Sequence, residues 1–296
     1  MFRIIGKNKM KTGIIVVGIF IFLALILYLV GYLFDFGIFI IPFAVIISIM
    51  VSFFSYYYSD KMVLKLNGAR PADPETDKIV TSVLENICIA AGTPMPRVYI
   101  IDDPSPNAFA TGRNPEHAVV CVTTGILKIL DYYELEGVLA HELSHIKNYD
   151  ILLTTVATIM IGVIVIVANF CTRSLFFGGG RGRRSNDNSG GGQAIILAIG
   201  LIFIILAPIA GQLLKMALSR NREYLADATA VEFTRNPQGL IGALSKLESN
   251  PTPLSRANKA TASMYIVNPL KGINAKELLS THPPIQKRIE ALKNIH

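Results

Sequence analysis

Cysteine and histidine are scarce in this chain of 296 residues, with three of the first and five of the second. Cys88, Cys121 and Cys171 are far apart and form no CxxC pair. That excludes a disulfide-stapled framework and a thiolate zinc site, and Cys88 and Cys121 read as small, reduced core residues. Charge is thin as well, at 17% of residues against 51% hydrophobic. The runs 14–34, 36–58, 151–171 and 194–214 contain no charged side chain. Each is long enough to cross about 30 Å of hydrocarbon as a helix, so four transmembrane helices are expected. No small-x-small cleavage site follows the first run, which is too long for a signal h-region and reads as an uncleaved anchor.

The distribution of charge sets an orientation. Arg3, Lys7, Lys9 and Lys11 precede the first run, and Lys61, Lys65 and Arg70 follow the second. No basic residue lies between them around Asp35. The N-terminal tail and residue 60 onward are therefore expected to face the cytoplasm, with Tyr56, Tyr57 and Tyr58 in an aromatic belt. The net charge of +7 is mostly juxtamembrane and suits anionic lipid headgroups. The Gly-rich loop 172–192 carries Arg173, Arg181, Arg183 and Arg184. It is at odds with a second hairpin, 151–218, that crosses fully. One RGRR in a glycine tract is too little to predict a nucleic-acid partner.

Against this apolar background stands His141-Glu142-Leu143-Ser144-His145. Histidines four apart on a helix share a face and can grip one metal ion, and the glutamate after the first is placed to act as a base on water. Asp131 and Glu134 have the spacing of a capping box opening that helix. The longer HExxHxxGxxH pattern would need a glycine and then a histidine downstream, but Asn148 and Ile151 stand at those positions. The other histidines, His117, His282 and His296, fall in no strong ligand pattern. The stretch SRNREYLADAT at 219–229 places Glu223 and Asp227 one helical turn apart. Glu223 is the candidate third zinc ligand and Asp227 the candidate carboxylate that orients a ligand histidine. The competing reading of that stretch is a solvated acidic face paired with Arg220 and Arg222.

The polar remainder, 60–150 and 219–296, is long enough for one core. Asp73, Pro74 and Gly92 punctuate a helix over 73–91. Short β-rich runs follow at 97–101, 107–111 and 118–123, separated by Pro-Ser-Pro and Arg-Asn-Pro turns. Helices return from 125. The expected fold is an α+β zincin-like (gluzincin) catalytic domain, mostly helical with a small antiparallel sheet, flanked by the hairpins 1–59 and 151–218.

The strings PNAFATG (106–112), HELSH (141–145), SRNREYLADATA (219–230) and STHPPIQKRI (280–289), with the two hydrophobic hairpins, resemble the HtpX-type membrane metallopeptidases, relatives of the CAAX prenyl proteases. The resemblance implies a zinc endopeptidase of the cytoplasmic membrane that acts in quality control on misfolded or damaged membrane proteins, alone or within membrane protease complexes. It implies one zinc on His141, His145 and Glu223, and Glu142 as the base. It sets Asn107 on the substrate-binding edge strand, although a turn role competes. It sets His282 near the site as a donor to the oxyanion, although capping of the helix after Pro283-Pro284 competes. Three other classes are weighed. A site-2-type protease would bury its motif in a span, where Asp131, Glu134, Glu136 and Lys147 would be costly. An adaptor with a structural zinc would fill all four metal positions with protein ligands. A transporter would need ionisable groups in its spans.

Overall fold

The computed structural model describes residues 2–33, 37–158, 162, 220–255, 261–269 and 283–295. Its plan follows from strand β4 (Ala118–Thr123), whose sequence AVVCVT is buried at every position. Alternation sends Ala118, Val120 and Val122 into one apolar cluster, and Val119 and Cys121 into another. A strand covered on both faces reads as a continuous apolar run. It belongs inside a sheet, and it lies there between β2 (Arg97–Ile101) and β3 (Ala108–Gly112), with the short β1 (Arg70–Pro71) beyond β2.

The sheet is mixed rather than antiparallel throughout. Strand β3 runs antiparallel to β4, with Phe109 opposite Cys121, but β2 and β4 are parallel, with Tyr99 beside Cys121. The reversal after β2 skips one lane, and the short return through Arg113–His117 drops β4 into it. Two reversals restore the direction of β2. Asp103 stabilises the skipped lane, its carboxylate accepting from the amides of Ser105 and Ser255.

Helices cover both faces. On one side lie α4 (Lys78–Ala91), α5 (Thr124–Ile129), α6 (Tyr132–Lys147), α8 (Arg220–Thr234), α9 (Pro237–Ser249) and α10 (Ile285–Lys293), packed around Leu84, Leu139, Leu143 and Leu244. On the other lie α1 (Phe2–Leu33), α3 (Ser59–Leu66) and α7, helical over 150–158, meeting at Phe22, Val63, Leu153 and Tyr265. Helix α4 starts five residues later than its punctuation predicts. The carboxylate of Asp73 is used on the amides of Glu75 and Thr76, closing a turn, and Asp77 takes the N-cap position. Gly92 ends the helix as expected, in the left-handed region at φ 59°.

Helices α6 and α9 meet backbone to backbone. A Cβ on Gly137 would lie 2.6 Å from the Leu240 nitrogen, and one on Gly239 would lie 2.3 Å from the Tyr133 oxygen. Only hydrogen fits at either place, so the two helices approach at van der Waals limits.

Two described helices are long and apolar enough to cross a membrane, over Ile5–Leu25 and Gly37–Tyr57, the latter including α2 (Ile40–Tyr57). The first begins earlier than the charge-free run at 14–34. The basic stretch expected as a tail is part of α1, because its polar Asn8 and Thr12, one turn apart, are buried and hydrogen-bonded. Of the third and fourth expected spans, only 151–158 and Gly162 are described. The loop 172–192, Cys171 and His282 lie outside the described residues.

Candidate metal centre

Helix α6 carries the paired histidines. Its capping box is formed, with Asp131 accepting from the Glu134 amide at 3.0 Å and Glu134 accepting from the Asp131 amide at 2.8 Å. One helical turn brings the rings of His141 and His145 to 4.8 Å between centroids, nearly perpendicular, with their Nε2 atoms 3.3 Å apart. Helix α8 crosses α6 and delivers Glu223. Its Oε2 lies 3.6 Å from His141 Nε2 and its Oε1 3.7 Å from His145 Nε2.

These distances suit a zinc ion. Ligands about 2.0–2.2 Å from a tetrahedral metal stand about 3.3–3.6 Å from one another; the two Nε2 atoms stand 3.3 Å apart, and each has one Glu223 oxygen at 3.6 or 3.7 Å. The ring tautomers agree. His141 Nδ1 faces Asp227 Oδ1 at 2.9 Å, and His145 Nδ1 faces Asp150 Oδ2 at 3.1 Å. A carboxylate at Nδ1 fixes the proton there and leaves the lone pair on Nε2. Two such lone pairs and the Glu223 carboxylate then face a shared space, an electron-rich cluster that suits a cation. Two nitrogens and one oxygen are a donor set proper to zinc with an open position.

Each carboxylate is held in turn. Arg288 is fully buried and grips Asp227 with two bonds, Nε to Oδ2 at 2.9 Å and Nη2 to Oδ1 at 2.6 Å. Its Nη2 also lies 3.4 Å from both ring nitrogens of His141. Burial works against the Asp227 anion, but Arg288 outweighs it and brings this carboxyl down to about 2. Burial and Arg288 likewise oppose charge on His141. The bonds from Asp227 and Glu223 prevail and raise it to about 9, so without metal a proton serves as the missing cation. On the other side, Asp150 accepts from Asn8 at 2.8 Å and has Arg222 at 3.8 Å.

Glu142 is buried, at 2% exposure, and burial raises its carboxyl above the ordinary range while the two histidines oppose the rise. A raised carboxyl is a stronger base, as proton transfer near neutral pH needs. Asn107 stands just before β3, also buried. Its Nδ2 donates to the Val267 carbonyl at 2.8 Å, and its Oδ1 accepts from the Val267 amide at 3.3 Å. Both ends of the side chain thus hold the 261–269 segment beside the sheet edge.

Asp150 and Arg288 were not singled out from sequence. Asp150 flanks an apolar run and passes for its polar boundary. Arg288 had a usable signal, because helical spacing puts it on the same stripe as Ile285, Ile289 and Leu292, an apolar face where a guanidinium is out of place.

The chain has relatives among known proteins. A model of Peptidase family M48 matches residues 74–296. A Protease HtpX homolog of Dictyoglomus thermophilum is 47% identical over 292 residues, spanning 99% of this chain and 94% of its own. One from Ligilactobacillus salivarius is 48% identical over 300 residues, spanning all of both. The crystal structure of S. mikatae Ste24p shares the fold, with a TM-score of 0.51 at 20% identity over 99% of this chain and 67% of that one. Full-length likeness to HtpX proteases, two apolar helices and a family match spanning the histidine pair and Glu223 make one assignment: the chain belongs to peptidase family M48, as a metalloprotease of the membrane.

Proposed function

We propose that this enzyme is a zinc endopeptidase that cuts misfolded or damaged membrane proteins at the cytoplasmic face. The observation that carries the chemistry is the triangle of His141, His145 and Glu223. Those three would hold the ion. The partial exposure of His145 and Glu223, against the buried His141, marks the side from which substrate arrives. Zinc held there would supply Lewis acidity, polarising the scissile carbonyl and lowering the pKa of water so that hydroxide is available near neutral pH. Glu142 takes the proton released as water attacks, then gives it to the leaving amine. His282, six residues before the buried Arg288, is the proposed second donor to the developing oxyanion.

Substrate geometry follows from β3. Phe109 and Thr111 bond toward β4, so alternation turns the amides and carbonyls of Ala108, Ala110 and Gly112 outward. The Ala108 carbonyl is taken by the Ile266 amide at 2.9 Å. Among the described residues Ala110 and Gly112 make no such bond, and in this reading they take an extended peptide, with Asn107 and Val267 fixing the start of the edge. Such recognition reads main chain more than side chain, which suits unfolded substrates. Residues 60–150 and 219–296 form the catalytic domain in this reading. The flanking hairpins 1–59 and 151–218 anchor it, and the basic residues before 14 and after 58 favour the cytoplasmic side.

Glu142→Gln should retain zinc and lose cleavage of an unfolded protein such as casein by about a hundred- to ten-thousand-fold. Retained proteolysis would remove Glu142 as the base. His282→Phe should lower turnover with metal content unchanged, and unaltered turnover would end its oxyanion role.

A further inference from the structure

The helix that anchors this enzyme also reaches its metal site. Asn8 lies on α1 inside the candidate span Ile5–Leu25 and is 3% exposed. Its amide has two N–H donors, and both are used on the junction just past the metal helix. One goes to the Asn148 carbonyl at 2.9 Å and the other to Asp150 Oδ1 at 2.8 Å. The opposite oxygen of the same carboxylate, Oδ2, faces His145 Nδ1. Between these two contacts sits Tyr149 at φ 59°, a left-handed conformation in a residue other than glycine. Such a residue is held in that conformation by its surroundings. The surroundings are again α1. Lys9 Nζ lies 4.2 Å over the Tyr149 ring, and Thr12 Oγ1 donates to the Asn8 carbonyl at 2.9 Å, steadying the turn that presents the amide.

From this geometry we infer that Asn8 is a positioning residue for the metal: through the 148–150 elbow it orients Asp150, and Asp150 orients the His145 imidazole. The physical case is one of donor arithmetic. Asp150 must point one oxygen at His145 while lying next to a strained turn at the C-terminal end of α6. A carboxylate with one oxygen bound can swing about its bond to Cβ. A second bond on the other oxygen, from a side chain anchored elsewhere, fixes the plane. Arg222 at 3.8 Å supplies charge to that same oxygen, but the amide supplies direction. The consequence is that the seating of α1 against the catalytic domain enters the affinity of the site for zinc.

The inference rests on the ligand assignment above, and the test separates the two. Full-length protein in detergent would be titrated with zinc in competition with a chromogenic chelator, and with cobalt to read the ligand field. Asp150→Asn should weaken zinc about ten- to a hundredfold, the usual range for loss of a carboxylate behind a ligand histidine. Asn8→Ala should weaken it about three- to tenfold. Asn8→Asp, which keeps the shape but removes both donors and sets a carboxylate beside Asp150, should weaken it further. In the Asp150→Asn background, Asn8→Ala should add little, because the two act in series. Unchanged affinity in both Asn8 variants, or full additivity in the double variant, would overturn the inference. If Asn8→Ala fails to fold, the isosteric Asn8→Asp alone decides. His145→Ala binding zinc as tightly as wild type would instead refute the ligand assignment.

Discussion

His141 and His145 are neighbours on one helix, yet their supports are built from different materials. His141 is held by Asp227 and Arg288, from α8 and α10, all buried in the catalytic core. His145 is held by Asp150 and, through it, Asn8, from the start of α7 and the apolar α1, and it is partly exposed. The first support is ionic and bidentate. The second is a hydrogen-bonded relay across a strained turn. The contrast teaches that two histidines one turn apart need not be supported alike. One is held from the core, the other through a contact with α1.

The largest break in that comparison should come from Arg288→Met. It leaves Asp227 as a buried charge without its partner, and removal of one member of such a pair costs about 3–5 kcal/mol. Denaturant unfolding should show that loss. Pairing it with Asp227→Asn should recover part of it, and no recovery would mean that Arg288 acts independently of Asp227.

Next in size, Asp227→Asn and Asp150→Asn should each lower zinc affinity about ten- to a hundredfold, with the Asp227 substitution worse because it also takes the bidentate partner from the buried Arg288. Equal losses in a chelator competition would erase the proposed asymmetry.

A pH effect should follow for the metal-free enzyme alone. His141 rises from 6.5 to about 9 in the fold, so its protonated form stabilises the empty site fully below about pH 6.5. That contribution is lost as pH climbs through about 9. Thermal melts of the chelated protein should decline across this window, and melts of the zinc-loaded protein should not show that component.

The smallest effect should come from Asp131→Ala. Loss of the N-cap costs about 1 kcal/mol and disturbs a helix that carries both histidines, so it should lower stability with no preference between the two halves.

Much of the inner half was legible because it rests on local patterns. HELSH, the Asp131–Glu134 box and the one-turn spacing of Glu223 and Asp227 all survive in the folded chain as short-range geometry. The edges of β2, β3 and β4 were nearly placed by their apolar runs and turn residues. What the sequence hid is long-range. The parallel pairing of β2 with β4 depends on which lane the chain skips. Asp150 serves a histidine five residues back only because Tyr149 turns the chain, and no local rule predicts a tyrosine at positive φ. Asn8 lies 142 positions from its partner, and locally it reads as one polar residue in a basic tail.

The contact of Gly137 with Gly239 and Leu240 bears on which ions the enzyme can use. Helix α6 cannot slide or roll against α9 without steric collision, so its two imidazoles have little room to spread. A cation appreciably wider than zinc would need the ligand triangle to expand, and the tight seat of Gly137, one turn before His141 on the same face of α6, stands against it. Selectivity by radius would then be written partly in glycine, at positions that never touch the metal.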